Sequence, residues 1–81
     1  MKKLIDYGRD DHPADDPERA QAAWAVTAVD DCEECADLRV VVTVEEVGRP
    51  GAGLAAHLSP ATAQRLGRAL AAALREIGET P

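Results

Sequence analysis

Residues 38–47, Leu-Arg-Val-Val-Val-Thr-Val-Glu-Glu-Val, constrain this chain more than any other stretch. Leu38, Val40, Val42 and Val44 alternate with Arg39, Val41, Thr43 and Glu45. A period of two with β-branched residues specifies a strand, and the fully apolar first set faces a core. A strand needs a neighbour. Residues 24–29 supply one, with Trp24, Val26 and Ala28 on one face and Ala25, Thr27 and Val29 on the other. Two strands joined by a short loop make an antiparallel hairpin.

After the second strand, residues 48–53 combine three glycines with Pro50, the composition of a turn. A third, shorter strand follows at residues 54–58, with Leu54, Ala56 and Leu58 pointing inward. Ser59-Pro60 then opens a helix, because Ser caps free backbone N–H groups and Pro suits the first helical position. Ala63, Leu66, Leu70, Ala73, Leu74 and Ile77 follow helical spacing, and Gly78 ends the helix. The expected fold is therefore α+β: a small antiparallel β-sheet in the order β-β-β-α, with one C-terminal helix packed across one face. Residues 20–79 form the single domain. Residues 1–19, rich in Asp with little to bury, read as a flexible acidic N-terminal arm. Within it, Asp16-Pro17-Glu18 has the residues of a short helix start.

The core materials are thin. The 81 residues include no Phe, one Trp and one Tyr. A domain of this size is marginal alone and gains from a disulfide, a metal or a partner chain. With two cysteines, self-association as a homodimer is the expected solution. One helix cannot cover two faces of a sheet. The face carrying Ala25, Thr27, Val29, Arg39, Val41, Thr43, Glu45, Ala55 and His57 is thus an expected interaction surface.

The net charge of −6 is concentrated in the front. Residues 1–37 hold eleven acids against four bases, whereas residues 38–81 hold five bases against four acids. An acidic chain repels phosphate backbones, which disfavours direct nucleic-acid binding. Arg65, Arg68 and Arg75 on the outer side of the helix read as a solvated face. A protein partner with a basic surface fits the front half better. No apolar run reaches the roughly 20 residues of a membrane span, and residues 1–5 are too short for a signal sequence. A cytoplasmic location with reduced thiols is expected.

The densest chemistry lies in the hairpin loop, residues 30–37, Asp-Asp-Cys-Glu-Glu-Cys-Ala-Asp. Cys32 and Cys35 have the spacing of half a zinc site, but a structural site takes four ligands. His12 and His57 have no ligand-pair spacing, so Zn would need a second Cys pair from another chain across a dimer. The five surrounding acids disfavour thiolate and hence thiol–disulfide catalysis. A calcium loop would need a different spacing and a glycine. Ser59 serves better as a cap than as a nucleophile. The expected activity is consequently non-enzymatic: protein binding, as an accessory regulator or inhibitor. Its surface is formed by Asp30, Asp31, Glu33, Glu34 and Asp37 at the hairpin tip with Arg39, Val41 and Thr43 on the sheet. No cofactor is expected. A Zn-binding or redox-responsive role for Cys32 and Cys35 is the alternative.

Overall fold

A computed structural model describes residues 1–30 and 38–79. Four strands precede one helix: β1 (Lys2–Arg9), β2 (Ala22–Val29), β3 (Arg39–Glu46), β4 (Leu54–Leu58) and α1 (Pro60–Glu76). The strands form one antiparallel meander in the order β1-β2-β3-β4. The α+β class and the C-terminal helix are as expected. The sheet has one strand more than the alternation pattern suggests, because Lys2–Arg9 pairs along β2 instead of fraying. Residues 10–21 form the β1–β2 loop.

That loop is held by its own hydrogen bonds. Asp10 N–H donates to the Ala22 carbonyl (2.8 Å) at its base. His12 Nε2 meets Asp16 Oδ2 at 2.8 Å, and Gln21 Nε2 donates to the His12 carbonyl at 2.7 Å. No helix follows Pro17. Asp16 Oδ1 instead accepts from the Glu18 N–H at 2.8 Å, an Asx turn.

Directly paired residues place their side chains on the same face. One face, here the valine face, carries the rows Gly8–Trp24–Val44–Leu54, Asp6–Val26–Val42–Ala56 and Lys3–Ala28–Val40–Leu58. The opposite face, here the alanine face, carries Arg9–Ala23–Glu45, Tyr7–Ala25–Thr43–Ala55, Leu4–Thr27–Val41–His57 and Lys2–Val29–Arg39. A bulge at Ile5 interrupts the β1 register between Leu4 and Asp6. The Trp24 indole lies over Gly8, where an added Cβ would sit 3.1 Å from a ring carbon.

α1 is capped at both ends. Ser59 Oγ accepts from the Thr62 N–H at 3.2 Å, and Pro60 occupies the first turn. At the other end Gly78 takes φ +86°, with Gly78 N–H donating to the Arg75 carbonyl (3.0 Å) and Glu79 N–H to the Leu74 carbonyl (2.8 Å). This pair of bonds is a Schellman closure.

Covering is where the molecule is sparse. α1 touches β3 and β4, but within it only Ala63 and Ala71 are partly covered. Among the described residues none is buried. The reason lies in the joint. Ser59 alone separates the end of β4 from the start of α1, whereas a strand-to-helix connection that folds back over its sheet usually takes about 2–6 residues. Ser59 is extended (φ −64°, ψ 161°), its hydroxyl is committed to the cap, and Pro60 fixes the next φ. The Cα radius of gyration is 14.6 Å, against about 12 Å for a compact chain of this length.

Candidate interaction surface

The alanine face has the relief of a docking surface. β2 contributes Ala23 and Ala25 to its floor. β1 raises Tyr7 and Arg9 on one side, and β3 raises Thr43 and Glu45 on the other. Small residues on an inner strand between larger ones on its neighbours leave an open depression of about 370 Å³. Tyr7 stands 69% exposed at its edge. An exposed aromatic ring with a polar tip, standing on a sheet, is a common anchor for a protein partner. Arg9 and Glu45 give the depression one charge of each sign.

Of the sheet residues expected at the surface, Arg39, Val41 and Thr43 lie on this face, each partly covered. Val41 sits between Thr27 and His57, and Thr43 between Ala25 and Ala55. Arg39 pairs with Val29 in register, and its Nη1 donates to the Leu38 carbonyl at 2.6 Å. Only Thr43 of the three lines the depression. Tyr7 and Arg9 were not among the expected residues, because the stretch that carries them reads as an arm. The signal that could have found them is Tyr7 itself, the chain's one tyrosine, flanked by residues that tolerate an edge strand.

The hairpin tip is described only at its base. Asp30 follows β2 directly, and its carboxylate pairs with the Met1 ammonium. Its N–H donates to the Met1 carbonyl at 3.2 Å. Asp31, Glu33, Glu34, Asp37 and both cysteines, Cys32 and Cys35, lie outside the described residues. Among the described residues no three His, Cys, Asp or Glu side chains gather as a metal cluster. His57 lies on β4, beside the base of the hairpin tip. His12 belongs to the β1–β2 loop at the far end of the sheet.

Electrostatics are notable at Asp16. The hydrogen bond from the Glu18 N–H, and then the one to His12, hold its carboxyl below the ordinary value of 3.8. The two side chains are each partly covered, so the clasp shapes the loop. Among the described residues no helix is long and apolar enough to cross a membrane.

No family model, no curated protein and no solved structure matches this chain.

Proposed function

We propose that this protein is a non-enzymatic binding domain, an accessory regulator or inhibitor that acts in the cytoplasm as a homodimer through protein–protein contacts. The observation that carries the reading is the relief of the alanine face: a shallow, alanine-floored depression edged by Tyr7, Arg9, Thr43 and Glu45 on an open sheet. A shallow open hollow suits a protein segment better than a small substrate, which enzymes enclose in deep, mostly apolar pockets. The acids of residues 30–37 add a negative field that favours a partner with a basic surface, while the net charge of −6 disfavours nucleic acid.

A displayed library of random peptides, selected on the immobilised chain, tests this. Enriched peptides should be net basic. Their affinity, read by fluorescence anisotropy, should fall about tenfold when Asp31, Glu33, Glu34 and Asp37 are changed together to Asn and Gln, with weaker salt dependence. Tyr7→Ala should weaken the same peptides, since aromatic anchors cost about 2 kcal/mol or more when truncated. Failure to enrich any peptide, or affinities indifferent to both changes, would remove the reading.

A further inference from the structure

In the same protomer the leucine stripe of α1 is exposed and the valine face is only partly covered. Leu54 is 83% exposed at the edge of the valine face, and Val44 beside it is also exposed. On α1, Leu70 is 60% and Ile77 is 75% exposed, with Leu66 and Leu74 exposed between them. At about 100° per residue these four share one side of the helix, and Arg68 and Arg75 fall on the opposite side. The protomer therefore carries two complementary apolar surfaces, and the one-residue joint at Ser59 keeps them from closing on each other.

We propose that two copies of this chain exchange their C-terminal helices, the leucine stripe of α1 in each protomer lying across the valine face of the other. This deepens the homodimer half of the reading above and rests on it. Area supports the second copy. The protomer exposes 6394 Å², whereas a folded monomer of this mass exposes about 4,700 Å². The excess of about 1,700 Å² per protomer is what an obligate dimer burying 2,000–5,000 Å² in total removes. Lengths also match. α1, with 17 residues, spans about 26 Å, and the eight-residue strands beneath it span about the same. A two-fold exchange covers stripe and face in both protomers with one type of contact. Face-to-face stacking of two sheets would leave both stripes wet. Arg68 and Arg75 stay in solvent, and the charges of the valine face, Lys3 and Asp6, lie exposed on its edge strand β1 rather than at its centre.

Light scattering on the full chain, with two single changes, tests the exchange. The wild type is expected at twice the 8.6 kDa protomer mass. Leu70→Glu and Leu54→Lys should each weaken dimerisation about 30-fold or more, the scale of an interface hot spot. Neither residue is buried in the protomer, so the protomer alone gives no reason for such a loss. Mixing the two variants in equal amounts should restore a dimer, because one intact stripe then meets one intact face and Glu faces Lys across the other contact. Where a variant alone loses its fold, the mixture decides, by return or absence of far-ultraviolet circular dichroism and dimer mass. A dimer that survives either single change, or a mixture that does not recover, overturns the exchange and leaves the homodimer standing. A monomeric wild type overturns both.

Discussion

Gly53 stands where the β3–β4 turn re-enters the sheet, and no side chain fits there. A Cβ at this position would lie 2.6 Å from the Val44 carbonyl oxygen and 2.6 Å from Glu45 Cβ. Ordinary contacts begin near 3.4 Å, so the Gly53→Ala variant must move backbone by roughly 0.8 Å or distort the Val44–Leu54 pair at the start of β4. Overpacking of this kind costs about 1–3 kcal/mol. The stiffer unfolded chain returns about 0.4–1 kcal/mol, which leaves a net loss of about 1–2 kcal/mol. For a domain of this size that is a fall in Tm of about 5–15 °C. Gly67→Ala is the control. It sits inside α1 with no atom within 4 Å of the added methyl group, and helix propensity predicts a gain of about 1 kcal/mol. Thermal and urea unfolding, at one fixed protomer concentration, should give opposite signs for the same chemical change. Equal signs, or a Gly53→Ala variant as stable as the wild type, would refute the close approach of residue 53 to β3.

Two further outcomes follow from the local geometry. Ser59→Ala removes the acceptor for the Thr62 N–H and should cost about 1 kcal/mol, with Ser59→Asp retaining most of the stability; urea unfolding reads both. Asp16 titrates below its ordinary 3.8 in the folded chain, so its contribution is complete above that value and is lost as pH falls through the lower folded one. Carboxyl-carbon NMR should place its midpoint under 3.8, and Asp16→Asn should remove that part of the acid dependence; a midpoint at or above 3.8 contradicts the clasp.

Much of the fold is legible in the residues because local signals agree with the global arrangement. The Val40–Val42–Val44 alternation became β3, residues 54–58 became β4, and Ser59-Pro60 with Gly78 bounded the helix as capping chemistry requires. β1 was illegible for a physical reason. An edge strand is defended by charge, and Lys2, Lys3, Asp6 and Arg9 hide its apolar content. The depression was half legible: Thr43 follows from the β3 pattern, whereas Tyr7 and Arg9 enter it only once β1 is placed. The thin covering of the sheet could not be read from amphipathicity. Both surfaces carry the pattern of packed elements, and whether they meet depends on the length of one joint.

The bulge at Ile5 has a consequence for how this protein can change. It acts as a phase shift. Leu4, Tyr7 and Arg9 share a face only because one residue is skipped between them. Deleting Ile5 would remove the extra residue and leave Tyr7 opposite Ala25 and Gly8 opposite Trp24. Pairing Ile5 with Val26 instead, with the first half of β1 held, would slide the rest by one place and set Tyr7 opposite Trp24 and Gly8 opposite Ala23. The indole would then lose the bare backbone it rests on, and the depression would lose its aromatic rim. A single codon lost at this position would thus leave both faces of the sheet recognisable, whereas smoothing the bulge with its residue in place would rewrite them.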